Sequence, residues 1–148
     1  MVRLIAPSVP GSLPASGRSS SAAAAVTGHA FGAGAMLAMA HDVRVMRADR
    51  GFFCFPEVDI RIPFTDGMAA LIQAKLTPQA AVASMTTGRR FGGVEAAELG
   101  IVDATAGEGA VTAAAVELLR PLAGKDPGTL GAIKRTMFRT AAQALTNP

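Results

Sequence analysis

Residues 22 to 40 read AAAAVTGHAFGAGAMLAMA, a stretch so apolar that it must be withdrawn from water, either in a bilayer or in a protein core. Thr27, His29 and the glycines at 28, 32 and 34 interrupt it, so we read it as buried core rather than a membrane span. Ala23 to Thr27 forms a short apolar run ended by Gly28, the pattern of a fully buried strand. Gly34 to His41 carries helix-forming Ala, Met and Leu directly after Gly32 and Gly34, so the glycine loop is expected to open into a short buried helix, ended near Asp42.

The remaining chain divides around this stretch. Residues 1 to 21 are rich in Pro, Gly and Ser, with no apolar periodicity beyond Leu4 and Ile5; they read as a disordered or unrelated leader and are assigned no structure. Downstream, Val43 to Met46 and Gly51 to Phe55 have the β-branched or aromatic content of short strands, separated by a polar turn and closed by Pro56. From Asp66 onward the pattern is helical, with Met68, Leu71, Ile72 and Leu76 on one face. Thr77, Pro78 and Gly88 supply cap, first position and stop for a helix over most of 78 to 87. A shorter helix over Val94 to Leu99 stops at Gly100, and two more carry Val111, Ala115, Leu118 and Leu119, then Leu130, Ile133, Met137 and Phe138 after an Asp126, Pro127 start. Strands first and helices later predict an α/β fold whose C-terminal helices begin near residue 109. With 148 residues, half of them hydrophobic, one domain spanning about 22–148 is expected.

Composition narrows the function. Lys and Arg exceed Asp and Glu by 14 to 11, dispersed along the chain, and there is no Trp or Tyr, so the basic tracts and stacking platforms of nucleic-acid binders are lacking. Cys54 is the single cysteine, and no Cys/His spacing matches a metal site, so a reducing, cytoplasmic setting and a metal-free chain are expected. Before Pro7 and Pro10 no sustained apolar run reads as a secretory signal.

Three phrases, in order, carry a family likeness. AAVTGHAFGAGAMLAMAHDVRV (24–45), RGFFCFPEVDIRIPF (50–64) and TGRRFGGVEAAELGIVDA (87–104) resemble the strand, glycine loop and buried helix, the carboxylate-bearing segment and the late helix of the crotonase, or enoyl-CoA hydratase/isomerase, superfamily. The wording is nearest to its delta isomerases. The likeness runs from Ala22 to about Phe138 and implies the C-terminal part of a crotonase-type ββα spiral followed by a helical tail. It also implies an acyl-CoA thioester as substrate, with coenzyme A part of the substrate and no separate cofactor, a place in fatty-acid metabolism, and a homo-trimer or hexamer assembled partly through the C-terminal helices. Family members carry a further N-terminal half that has no counterpart in residues 1–21, so a truncated chain is expected.

The same likeness assigns roles. Ala33 is implied to supply an oxyanion-hole amide, Gly32 and Gly34 to let the backbone approach the thioester, Met36 and Phe64 to line the substrate site, and Glu57 to move the proton. Alone, a glycine loop before a buried helix is better explained by close packing, and a lone Glu by a solvated surface; the flanking phrases reverse both readings. Pro56, Phe55, Val58 and Ile60 around Glu57 predict a desolvated carboxylate. Hydratases of this fold use a second glutamate on the buried helix, where this chain has Met36; methionine cannot exchange protons, so a single-glutamate shuttle that isomerises 3-enoyl-CoA to 2-trans-enoyl-CoA is the economical expectation. The alternatives are an inactive fragment that binds acyl-CoA or only assembles with family members, and a hydratase or another crotonase reaction. His29 and His41 are assigned no role.

Overall fold

The computed structural model describes residues 1–5 and 21–146; the expectation of a leader therefore falls largely outside the described residues. In chain order the elements are β1 (Val2–Ile5), β2 (Ala23–Val26), β3 (Ala30–Phe31), α1 (Ala33–Met39), β4 (Val43–Arg47), β5 (Phe53–Cys54), α2 (Glu57–Ile60), α3 (Asp66–Lys75), α4 (Pro78–Thr87), α5 (Gly93–Glu98), β6 (Ala104–Ala106), α6 (Val111–Leu119), α7 (Pro127–Met137) and α8 (Arg139–Thr146).

A four-stranded sheet runs in the order β1-β2-β4-β6, and β3 and β5 pair separately. β2 has its apolar run because both faces are covered. Ala23 and Ala25 join Val45 against Val111, Ala115 and Leu119 of α6, while Ala24 and Val26 join Met46, Met39 and Ile72 in the main core. A strand buried on both sides reads as continuously apolar rather than alternating. Parallel β2 and β4, in register Ala23↔Val43, are linked through β3 and α1, so residues 22–40 fold as strand, short strand and helix. Among the described residues no helix is long and apolar enough to cross a membrane.

Helix ends follow the sequence chemistry. Thr77 Oγ1 accepts from the Ala80 amide at 3.2 Å, Pro78 opens α4, and Gly88 closes it in the left-handed region at φ 62°. Asp126 accepts from the Thr129 amide at 2.7 Å and starts α7.

Three expectations are corrected. Val2–Ile5, assigned no structure, forms β1, antiparallel on the free edge of β2 with Val2 opposite Val26. β5 covers only Phe53–Cys54, because Phe91 pairs across Phe53 and Gly51 is turned to φ 93°, with its Cα against the Gly28 backbone. Strands do not all come first: β6 follows α5 and adds to β4 with Val45 opposite Ala104, just before the helical tail begins. The helix expected after Asp126 and Pro127 is α7, and Phe138 separates it from a further helix, α8.

α8 lies on α3 at a close approach that only glycine allows. A Cβ at Gly67 would sit 2.8 Å from Ala144 O and from the Leu145 backbone. Gly67→Ala is therefore expected to cost about 1–3 kcal/mol through overpacking, despite alanine's better helix propensity. Faster amide exchange in 139–146 than in α4 would register it; unchanged exchange there would refute the close packing.

Candidate functional site

Two parallel strands that each lead into a helix set the geometry. β3 and β5 pair with Ala30 opposite Phe53 and Phe31 opposite Cys54, held by Ala30 N–H to Phe52 O at 2.9 Å and Gly32 N–H to Cys54 O at 3.1 Å. Because the register is parallel, both chains leave the pair at the same end. A Cβ added at Gly32 would lie 4.0 Å from Pro56 Cδ, so the turn before α1 abuts the turn before α2. Ala33 and Glu57 are the first residues of those helices.

Gly32 has φ 48° and ψ −114°, a conformation open to glycine and costly to other residues. The first backward bond of α1 runs from Met36 N–H to Gly32 O at 2.9 Å. The amides of Ala33, Gly34 and Ala35 therefore have no partner within the helix. Ala33 is exposed and Gly32, Gly34 and Met36 are half-buried, so this backbone is open to a ligand.

Glu57 is only 6% exposed, and its Oε2 has no hydrogen-bond partner among the described residues. A buried carboxylate oxygen without a donor costs stability rather than adding to it. Its neighbours along α2, Val58, Asp59 and Ile60, are exposed, so the burial belongs to this side chain in particular. Phe53, Phe55 and Phe64 form an edge-to-face series with centroids 5.5 Å and 6.0 Å apart, and Phe64, like Met36, is half-buried against the core. Burial pushes the Cys54 thiol up, opposed by Arg90 and reinforced by Asp59 and Glu57. That thiol is buried, donates to Gly88 O at 3.2 Å and is an inert core group.

Both histidines have structural uses. His29 Nδ1 accepts from the Phe52 amide at 3.2 Å and ties the entry to β3 to that of β5, while His41 Nδ1 lies 2.7 Å from Leu37 O at the end of α1. Among the described residues no group of three or more His, Cys, Asp or Glu could hold a metal ion. The site thus gathers Gly32, Ala33, Gly34 and Glu57 at one end of the β3–β5 pair. What sequence patterning did not disclose is the parallel register that joins them, since its hydrogen bonds link residues more than twenty positions apart.

The family model described as enoyl-CoA hydratase/isomerase matches residues 20–147. Enoyl-CoA delta isomerase 2, peroxisomal, of Arabidopsis thaliana is 43% identical over 105 residues, covering 69% of this chain and 44% of that protein. Carnitinyl-CoA dehydratase of Escherichia coli K12 is 37% identical over 122 residues, covering 81% of this chain and 45% of the relative. Among solved structures, an enoyl-CoA hydratase from Mycobacterium ulcerans superposes with a TM-score of 0.73 at 26% identity, over 81% of this chain and 52% of the other. The chain spans about half the length of the relatives it matches.

Proposed function

The chain belongs to the enoyl-CoA hydratase/isomerase family, and we propose that it carries the proton-moving part of an enoyl-CoA delta isomerase. The observation that supports this reading is that Glu57, the single buried carboxylate among the described residues, has an oxygen with no partner among them and lies beside a glycine turn whose next amide is unused by its helix. In the proposed reaction the thioester carbonyl of a 3-enoyl-CoA accepts a hydrogen bond from the Ala33 N–H. Glu57 removes a proton from C2, the negative charge moves to the carbonyl oxygen as a dienolate, and the protonated Glu57 returns the proton at C4. The double bond then lies between C2 and C3, conjugated with the thioester. Gly32 and Gly34 leave room for the thioester against the backbone, while Met36 and Phe64 bound the acyl chain. The stabilised oxygen is where transition-state charge grows, so the amide acts there more strongly than on the ground-state carbonyl.

Hydration or dehydration is the second reading, favoured by the dehydratase relative at 37% identity. Met36 opposes it: water addition by two carboxylates needs an acid or base on the buried helix, and α1 has neither an acidic nor a basic residue within Ala33–Met39. The substrate, a coenzyme A thioester, and a trimeric or hexameric assembly belong to the same proposal. Ile133 and Met137 on α7 are 50% and 66% exposed, an apolar face consistent with contacts between copies.

The discriminating experiment joins this chain to the N-terminal half that its relatives carry and offers it a 3-enoyl-CoA, then a 2-trans-enoyl-CoA in water. Formation of the conjugated 2-enoyl thioester from the first, with no 3-hydroxyacyl-CoA from the second, is the expected outcome. Accumulation of 3-hydroxyacyl-CoA would replace the isomerase reading with the hydratase one.

A further inference from the structure

A cavity of about 340 Å³ opens at the C-terminal end of α1, the opposite end of that helix from Ala33. Leu71 of α3 and Ala141 and Leu145 of α8 give it an apolar wall, and Asp42, Lys75 and Lys134 give it charge. The charges do not balance. Asp42 Oδ2 accepts from the Ala22 amide at 2.7 Å and from Lys134 Nζ at 2.6 Å, so the one carboxylate is committed. Lys75 Nζ donates to His41 O at 2.8 Å and stands 4.5 Å from the Phe138 ring centroid, with no carboxylate in ion-pair range among the described residues. Holding His41 O uses one of its three ammonium protons, and Lys134 likewise has donors left after Asp42. Burial, and then the nearby Arg44 guanidinium, push the Lys75 amine below its ordinary value, with Asp42 and Asp103 opposing the shift.

We propose that this cavity binds a small carboxylate bearing a short alkyl chain, with the carboxylate between Lys75 and Lys134 and the chain against Leu71, Ala141 and Leu145. Such a ligand supplies the missing negative charge at the polar end and apolar surface at the other. The size lies at the low end of small-molecule sites, which limits the chain to a few carbons. The site is separate from Glu57 and does not depend on the isomerase reading.

Titrating the full chain with hexanoate, followed by amide resonances in a ¹H–¹⁵N spectrum, tests this. Saturable shifts confined to residues near 71–75 and 138–145 are expected, with hexan-1-ol binding at least tenfold more weakly because it lacks the charge. Lys75→Met should weaken hexanoate at least tenfold and leave hexan-1-ol unchanged. Should that variant fail to fold, the hexanoate and hexan-1-ol comparison on the unaltered chain decides. Equal affinity for the two, no saturation, or shifts centred on Glu57 would overturn the proposal.

Discussion

Glu57→Gln is expected to lower isomerase turnover by about 10² to 10⁴-fold in a protein joining this chain to its relatives' N-terminal half, the range over which a positioned general base acts. The substitution keeps the shape and size of the side chain while removing its charge and its capacity to take a proton. Because Glu57 Oε2 has no partner to lose among the described residues, the fold should tolerate the change, and the thermal midpoint is expected to move by only a few degrees. KM should change far less than kcat, since the contacts proposed for the Ala33 amide, Met36 and Phe64 are untouched. Asp59→Asn is the matched control: it removes a carboxylate from the same short helix, but from an exposed position. Full activity in Asp59→Asn beside lost activity in Glu57→Gln would assign the proton transfer; undiminished turnover in Glu57→Gln would exclude Glu57 as the base and leave the isomerase reading without its central residue.

How far the sequence foretold this arrangement depends on whether the determining interactions are local. α4 was legible to the residue, because its cap, first-position proline and left-handed glycine all lie within the helix or beside it. The burial of the β2 segment was equally plain, since both faces demand apolar residues. β1 and β6 were not legible: Val2–Ile5 and Ala104–Ala106 become strands only by adding to edges supplied by β2 and β4, and alanine has little strand preference of its own. α7 exposes a different limit. Periodicity identified its apolar face, but a period names no partner, and Ile133 and Met137 on that face remain largely exposed. At the candidate site, apolar flanks pointed to a buried Glu57, yet only Phe55 among them is itself buried, while Val58 and Ile60 are exposed. The abutment of its turn on Gly32, by contrast, comes from pairing between β3 and β5, which no local pattern encodes.

The same distinction explains why the largest expected loss of stability lies at a residue that patterning ignored. Asp103 follows α5 at the entry to β6, and its Oδ2 accepts from the Arg44 amide at 2.7 Å while standing 3.4 Å from the Arg44 guanidinium. Arg44 projects from β4 into the protein, with a side chain only 4% exposed. Its Nε donates to Ile101 O at 2.8 Å, and Nη1 has no partner among the described residues. Burial holds this guanidinium below its ordinary value and Asp103 opposes that shift, so the carboxylate is what keeps a buried cation tolerable. Asp103→Ala removes it and leaves the charge behind, along with an unbonded backbone amide. Breaking a buried pair from one side costs about 3–5 kcal/mol, and because the Asp103 side chain is 38% exposed, the lower end, about 3 kcal/mol, is expected here. For a chain of this length that corresponds to a fall of roughly 10 °C in Tm. Arg44→Met should cost less, since it removes the charge together with its need for a partner and fills the same space with an apolar chain. The double variant should therefore melt above Asp103→Ala alone. If it melts lower, by the sum of the two single effects, the buried cation is not what makes Asp103 necessary, and the loss belongs to the backbone bond at Arg44 instead.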